Sequence, residues 1–315
     1  MIVDLPDCTT ADISKRLVRL RDDIGAMALS RVLTLVIVAD EARVEECIEV
    51  ANLASHQHPC RIVVLASGNS RGTARLDAQI RVGGDAGASE VIVCRMYGAL
   101  TPHGRSVLTP LLLADSPIVV WWPDRVPPAP GKDPIGEIAQ RRVTDVAAST
   151  TKPRPALKKL SAAYVGGDTD LAWARVTLWR GILAAALDQA PYEPVLRATV
   201  AGAPDSASAE LLAAWLRFRL QCPVSLVRTR NRSGIISVRL ERKSGPIDLV
   251  RPVDGDAATL SQIGQPERTI ALPHRSDAEC LADELRRLDP DEVYADALIH
   301  GLPDVTSAKA ARPQS

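Results

Sequence analysis

The stretch that decides the N-terminal fold reads RVLTLVIVA (31–39), EARVEECIEVANLASHQ (41–57) and CRIVVLAS (60–67). Its first and third segments are continuous apolar runs rich in β-branched residues, which is typical of strands covered on both faces. The middle segment has the composition of a helix and ends before Pro59. A strand, a helix and a strand in such close succession predict a βαβ unit with a right-handed crossover and parallel strands.

Further strands are predicted at LDAQIRV (76–82), EVIVCRMY (90–97) and SPIVVWWP (116–123). The first alternates as a half-exposed edge does, whereas the other two are apolar enough to be buried. With helices to about residue 28, over 103–115 and at 135–140, they predict a three-layer α/β domain over 1–150 with a mostly parallel sheet. Trp121 and Trp122 end the last strand, and we expect a rigid aromatic edge there.

The C-terminal part combines strands and helices in another order. A strand at 195–203 and a helix at 206–222 precede the segment 223–252, whose alternation predicts an antiparallel meander with outward-pointing arginines. One more strand at 268–273 and helical structure over 276–301 follow. These features predict an α+β domain over 191–303 with a largely antiparallel sheet, and a disordered tail over 304–315.

Between the two domains, residues 151–190 are predicted to be connecting helices, of which DTDLAWARVTLWRGILAAAL (168–187) is the central one. Apolar side chains occupy both sides of this helix, so we expect it to be buried on both sides. Its two arginines, Arg175 and Arg180, then need anions, because an unpaired buried charge is very costly. Asp168 and Asp170 are the nearest carboxylates and can also cap the helix.

Composition narrows the class of protein. The chain has 38 basic and 38 acidic residues, so no overall field attracts nucleic acid or an anionic membrane. The N-terminus lacks the pattern of a signal peptide and no apolar run has the length of a membrane span, which predicts a cytoplasmic protein that does not bind membranes. Six singly placed cysteines predict buried free thiols rather than a zinc or redox site.

The motifs of catalysis are missing from the sequence. Where a dinucleotide fold has its glycine-rich turn, this chain has Ala39, Asp40 and Glu41, and an acidic turn repels a pyrophosphate. His56 and His58 could hold a metal only with a third ligand, so we expect them to serve capping or packing. We therefore predict no catalytic residue, no metal site and no cofactor.

Charge is unevenly distributed in the C-terminal part. Residues 217–243 contain eight basic residues and one acidic residue, whereas 277–296 contain eight acidic and two basic ones. Such blocks suit a protein that binds other proteins, although both can also be ordinary solvated faces. A nucleic-acid surface would interleave aromatic residues for base stacking, and 223–252 have none, so nucleic-acid binding is not predicted.

Tryptophan and arginine recur together along the chain, and this pairing is common in interface hot spots as well as in cores. Core packing is the plainer interpretation for each tryptophan. The residues that we expect at a partner interface or between domains are Trp121, Trp122, Arg125, Arg141, Arg142, Asp168, Asp170, Trp173, Arg175, Trp179 and Arg180.

Four phrases, DLAWARVTLWR (170–180), SPIVVWWP (116–123), HPCRIVVL (58–65) and RRVTD (141–145), resemble the OpcA family of glucose-6-phosphate dehydrogenase assembly proteins of actinobacteria and cyanobacteria. The resemblance implies a non-enzymatic protein that binds the dehydrogenase of the oxidative pentose phosphate pathway and acts as an allosteric activator by favouring its active oligomer. Ala174 and Leu178 stand where the family has Thr and often Pro, which predicts a straighter helix here.

Two other interpretations remain open at the level of sequence. One is a sugar-phosphate-handling enzyme whose pocket at the strand ends is lined by Trp122, Arg125, Arg141 and Arg142. The other is a nucleic-acid-binding module that uses the arginines of 217–243. The sequence also leaves the protein's own oligomeric state open.

Overall fold

The structure, a computed structural model, describes residues 1–24, 32–56, 58–83, 90–149, 152–229, 233–252 and 255–308. The chain forms two compact units. Unit 1 comprises Met1–Ser149, Gly167–Thr169 and Ser276–Pro290, and unit 2 comprises Thr150–Gly166, Asp170–Arg275 and Asp291–Ser315. The predicted boundaries therefore change in two places, because most of 151–190 belongs to unit 2 and the segment 276–290 belongs to unit 1.

Unit 1 is built on an eight-stranded sheet in the order β1-β4-β5-β3-β2-β6-β7-β8. Strands β5, β3, β2, β6 and β7 run parallel, and β4 runs antiparallel to both of its neighbours, β5 and β1, which confirms the predicted mostly parallel sheet. The strands are β1 (Ile2–Leu5), β2 (Leu33–Asp40), β3 (Cys60–Ser67), β4 (Arg75–Arg81), β5 (Glu90–Tyr97), β6 (Ile118–Trp122), β7 (Arg141–Thr144) and β8 (Asp168–Asp170).

Helices cover both faces of this sheet. Alternate strand residues such as Val36, Val63 and Val120 pack in one cluster with side chains of α1 (Thr10–Ile24) and α3 (Gly104–Leu108). The other face carries α2 (Val44–Ser55), against which α8 (Asp277–Arg286) packs. Because both faces are covered, the strands need continuous apolar runs, and the sequence supplies them.

Several short elements of unit 1 differ from the sequence-based prediction. β1 was not predicted, and neither was β7, because its two arginines look like part of an exposed loop. The helix predicted over 103–115 shortens to α3, which is flanked by 3₁₀ turns, the second of which contains Pro110. The helix predicted at 135–140 is a single 3₁₀ turn, Gly136–Ile138.

Unit 2 contains a seven-stranded sheet in the order β14-β13-β12-β11-β9-β10-β15. The strands are β9 (Arg197–Gly202), β10 (Val224–Arg228), β11 (Ile235–Glu241), β12 (Ile247–Val250), β13 (Ala257–Gln262), β14 (Arg268–Ala271) and β15 (Thr306–Ala308). The helices are α4 (Pro153–Ala162), α5 (Leu171–Arg175), α6 (Thr177–Leu187), α7 (Ala207–Leu220) and α9 (Glu292–Asp296).

The sheet of unit 2 is largely antiparallel, as predicted, but its first strands are not a meander. β10 pairs in parallel with β9, because α7 connects them as a crossover helix, and β11 then pairs antiparallel with the other edge of β9. The meander begins only at β11 and runs through β14. At the other edge, β15 pairs with β10 within the segment that was predicted to be disordered.

The central stretch is not one continuous, straight helix. Asp168 begins a strand, and the helix that follows is interrupted at Val176, where φ is −94° and ψ is 4°. Before the interruption the side chains of α5 are almost all buried, whereas α6 buries Trp179 and Leu183 but leaves Leu178 37% exposed. The expectation of burial on both sides is therefore wrong for α6.

Two further predictions concern limited parts of the chain. No helix among the described residues combines the length and the apolar character needed to cross a membrane. Residues 84–89, between two predicted strands, and residues 230–232, within the predicted meander, lie outside the described residues.

Candidate interaction surfaces

Two adjacent arginines of β7 form buried ion pairs within unit 1. Arg141 is 2% exposed; its guanidinium pairs with Glu284 of α8 and donates to the carbonyl oxygen of Asp289 at 2.7 Å. Arg142 is 6% exposed; it pairs with Asp168 of β8 and donates to the carbonyl oxygen of Ala139 at 2.7 Å. Both side chains are thus engaged inside the unit.

The engagement of these arginines bears on the enzyme interpretation. A phosphate-binding pocket needs guanidinium groups that face open space, whereas those of Arg141 and Arg142 bind carboxylates and carbonyl oxygens of their own unit. Trp122 is 2% exposed and packs in the core with α1 and α3. Three of the four proposed lining residues therefore belong to the interior of unit 1.

The aromatic edge expected at the end of β6 is not open. Trp121 and Trp122 point to opposite faces of the sheet, as neighbouring strand residues must, and each is only 2% exposed. Trp122 packs in the cluster that includes α1 and α3, and Trp121 is buried on the opposite face. Both indoles serve the packing of unit 1, and the expectation of an exposed aromatic edge is wrong.

A ridge of ion pairs lies at the carboxyl ends of the parallel strands. Asp40 ends β2 and pairs at 2.7 Å with Arg125, whose side chain is 71% exposed. Arg43 pairs at 2.6 Å with Glu46 and donates to the carbonyl oxygen of Pro123 at 3.3 Å. The hydrogen bond from Arg43 lowers the pKa of the Glu46 carboxyl. Ligands of doubly wound sheets bind at such strand ends, and here ion pairs occupy the place.

The ridge continues towards β4 and β5. Arg81 donates to Glu45 at 2.8 Å, and this hydrogen bond lowers the pKa of Glu45. Glu41 accepts a hydrogen bond at 2.9 Å from the hydroxyl of Tyr97, whose pKa is raised first by burial and then by this bond. Arg95 lies 3.8 Å from Glu41 and completes the set. We call this set the charged ridge: Asp40, Glu41, Arg43, Glu45, Glu46, Arg81, Arg95 and Arg125.

In unit 2, Trp173 is the centre of an aromatic and cationic cluster. Its indole nitrogen donates to Asp291 at 2.8 Å, and its ring lies 5.7 Å from that of Tyr294. The guanidinium of Arg180 lies 3.6 Å from the centre of the Trp173 ring, an arrangement that favours a cation–π interaction. Asp170 caps α5 by accepting from the backbone of Ala172 at 2.9 Å, which confirms the predicted cap.

The other predicted members of the central stretch take separate positions. Asp168 pairs with Arg142 of unit 1. Arg175 is half-buried in the last turn of α5. Trp179 is 2% exposed, and the guanidinium of Arg251 lies 5.2 Å from its ring centre.

Two arginines that were expected to point outward from the meander are buried. Arg251 is 6% exposed and donates to the carbonyl oxygen of Leu272 at 3.2 Å, and its burial lowers its pKa. Arg242 is 5% exposed and donates to the carbonyl oxygen of Pro191 at 3.1 Å. These two do not contribute to a basic surface.

Sequence reasoning also missed a buried acid. Glu210 of α7 is 2% exposed and binds both Arg154 and Arg228 at 3.0 Å. Its only signal in the sequence is an acidic residue within the apolar run of 209–216, which indicates a charge that needs internal partners. Among the described residues, no group of three or more His, Cys, Asp or Glu side chains could hold a metal ion.

Of the predicted interface residues, Arg125 is broadly exposed, whereas Arg175 and Arg180 are partly exposed. The others are buried, and a role for them in binding a partner stays a prediction. They are Trp121, Trp122, Arg141, Arg142, Asp168, Asp170, Trp173 and Trp179.

Comparison with solved structures gives distant likenesses to oxidoreductases. A UDP-N-acetylglucosamine 3-dehydrogenase from Acidithiobacillus ferrooxidans is 8% identical, with 86% of this chain and 97% of that chain covered and a TM-score of 0.43. An NAD-binding oxidoreductase from Klebsiella pneumoniae is 9% identical, with 87% and 95% covered and a TM-score of 0.44. Likenesses this distant carry no argument about function. A search of curated proteins found no match.

Comparison with protein families is more specific. Residues 51–162 match the OpcA model for the N-terminal domain of a glucose-6-phosphate dehydrogenase subunit. Residues 166–298 match the OpcA model for the C-terminal domain of the same kind of protein. Because the two matches follow one another and together span most of the sequence, the chain belongs to the OpcA family of glucose-6-phosphate dehydrogenase assembly proteins.

Proposed function

We propose that this protein is a non-catalytic assembly factor that binds glucose-6-phosphate dehydrogenase and favours its active oligomer. The observation that carries the proposal is the pair of consecutive family matches, at 51–162 and 166–298, both described by the name of that dehydrogenase. The dehydrogenase opens the oxidative pentose phosphate pathway, so the protein would act on the entry of carbon into that pathway in the cytoplasm.

The chemistry of unit 1 supports a role in binding rather than catalysis. The strand ends at which related architectures hold phosphates carry Asp40 and Glu41, and Arg125 pairs with the first of them. Arg141 and Arg142, which could have bound a phosphate, are engaged with Glu284 and Asp168.

Activation requires only a difference in affinity. If the protein binds the active oligomer more tightly than the inactive form, the equilibrium shifts by that ratio, whereas equal affinity shifts nothing. The charged ridge suits a contact of this kind, because exposed charges of both signs orient an approaching partner and accelerate encounter. Arg125 is the most exposed of the predicted interface residues and is the first position to test.

The test uses the full chain and the dehydrogenase of the same organism. Mass measurement of the mixture should show a joint complex and a shift of the dehydrogenase towards one oligomer, accompanied by a change in its turnover or substrate affinity. Separate elution at micromolar concentration, with oligomer distribution and kinetics unchanged, would refute the proposal.

A charge reversal then tests the surface. Arg125→Glu should weaken the complex, because it places two acidic groups side by side at the end of β2. Arg19→Glu is the matched control, since Arg19 is exposed on α1, outside the charged ridge. Equal affinity of the two variants would remove the ridge from the interface while leaving the assembly role intact.

A further inference from the structure

The sheet of unit 2 has one buried and one open face. Val200, Leu226 and Val238 point to the buried face and are at most 2% exposed. Residues of opposite parity are half-buried or exposed in every strand. We call this set the open face: Arg197, Thr199, Ala201, Ser225, Val227, Ser237, Arg239, Glu241, Asp248, Val250, Ala257, Thr259, Ser261, Thr269, Ala271, Thr306 and Ala308.

The strand registers arrange the open face in straight rows. One row runs across six strands, through Thr306, Ser225, Thr199, Arg239, Asp248 and Ser261. The next row runs across all seven, through Ala308, Val227, Ala201, Ser237, Val250, Thr259 and Thr269. Apart from Arg239 and Asp248, these side chains are small or β-branched, so the surface is flat enough for another sheet to lie against it.

The charges of the open face come in opposite pairs. Arg239 and Asp248 are partners across β11 and β12, with 3.1 Å between the guanidinium nitrogen and the carboxylate oxygen. Arg197 stands opposite Glu241 across β9 and β11. The face is therefore neutral, and its cation and anion lie side by side near the middle of the sheet.

We propose that the open face is the interface of a homodimer, in which the sheets of two copies pack face to face about a two-fold axis. An axis parallel to the strands, between β11 and β12, superposes each copy's Arg239 on the partner's Asp248. The two pairs then form an alternating cluster of four charges, which is favourable in a low-dielectric interface. An axis along the rows would oppose like charges instead.

We assign a second copy of the chain to the open face because this face is complementary to itself. The same axis opposes uncharged side chains in the adjacent row, where Ser237 meets the partner's Val250. Val250 is 43% exposed in the single chain, so its burial adds an apolar contribution. The geometry thus matches polar pairs with polar pairs and apolar residues with small ones.

The area of the open face indicates the expected affinity of the dimer. With strands about 4.8 Å apart, six overlapping strands span about 29 Å, and their exposed length of about 17 Å gives roughly 500 Å² of plane per copy. Stable interfaces bury about 800 Å² of accessible surface on each partner. The dimer should therefore be reversible, with a dissociation constant on the order of micromolar.

Sedimentation equilibrium of the full chain without the dehydrogenase tests the proposal independently of the assembly role. The wild-type protein should pass from monomer to dimer as its concentration rises. Ala201→Arg should stay monomeric, with affinity reduced at least about 100-fold, because it buries an unpaired guanidinium in the interface. Ala185→Arg is the matched control, since Ala185 is exposed on α6, and it should dimerise as the wild type does.

A charge swap tests whether the Arg239–Asp248 pair lies in the dimer interface. Arg239→Asp should abolish the dimer, because four carboxylates would then meet, and adding Asp248→Arg should restore it. A wild-type protein that is monomeric throughout, or an Ala201→Arg variant that still dimerises, would overturn the proposal. If the wild type is monomeric and Ala201→Arg loses binding to the dehydrogenase, the face belongs to that partner and the homodimer is refuted.

Discussion

The two sheets of the molecule differ in how many of their faces are covered. The sheet of unit 1 carries helices on both faces, and strands such as β3 are buried along almost their whole length. The sheet of unit 2 is covered on one face, and its strands alternate between buried and accessible residues, as β9 does. A continuous apolar run thus indicates a strand that its own unit covers, whereas alternation leaves a face for solvent or for a partner.

The same contrast applies to ion pairs. In unit 1, Arg141 and Glu284 have side chains that are 3% and 6% exposed, respectively. In unit 2, the side chains of Arg239 and Asp248 are 51% and 26% exposed. Loss of one partner leaves an unsolvated charge in the first case and a hydrated one in the second, so the two pairs should differ in what their disruption costs.

The largest expected effect comes from breaking the buried pair. Glu284→Gln removes the charge that compensates Arg141 and should lower the free energy of unfolding of unit 1 by about 3–5 kcal/mol. Asp248→Asn is the matched exposed change and should cost less than about 1 kcal/mol. Urea unfolding, monitored by hydrogen exchange in peptides of each unit, measures the loss of stability in both variants. Equal losses would show that the contrast in burial has no energetic meaning.

Two glycines of unit 2, Gly301 and Gly181, differ in the space that surrounds them. A Cβ at Gly301 would lie 2.0 Å from the carbonyl oxygen of Ala214, so Gly301→Ala forces the backbone apart and should cost about 1–3 kcal/mol. A Cβ at Gly181, within α6, meets nothing within 4 Å. Gly181→Ala should therefore stabilise the unit by about 0.5–1 kcal/mol through the entropy of the unfolded chain. Thermal unfolding compares them, and a destabilising Gly181→Ala would contradict the open environment of α6.

The elements that sequence could predict are those set by local pattern. The strands at 33–40, 60–67 and 90–97 follow from continuous β-branched runs, and α7 follows from the helix predicted at 206–222. The side chain of Ser206 accepts a hydrogen bond from the backbone of Ala209, as its position before the helix indicates. The fold class followed from the order of such elements.

The errors arose where a distant residue decides the structure. β7 was missed because Arg141 and Arg142 look solvated until Glu284 and Asp168 are placed beside them. The predicted domain boundaries differ from the observed units for the same reason, since α8 lies late in the sequence but belongs to unit 1. Of the candidate site, sequence identified the exposed Arg125, but it assigned to interfaces several side chains that the units bury. It also missed the open face, which appears only when strand order and register are known.

An effect that is absent at neutral pH and appears only in alkali concerns a thiol in the covered sheet. Cys94 of β5 is 0% exposed, and burial raises its pKa from 9.0 to about 12. The unfolded chain therefore loses this proton first as the pH rises above about 9, and the free energy of unfolding falls by at most about 1.4 kcal/mol per pH unit towards pH 12. Cys94→Ala should give a shallower alkaline decline in urea unfolding, whatever its stability at neutral pH. Cys8, which is only half-buried, is the matched position: Cys8→Ala should change the slope less, and the reverse order would contradict the covering of β5 on both faces.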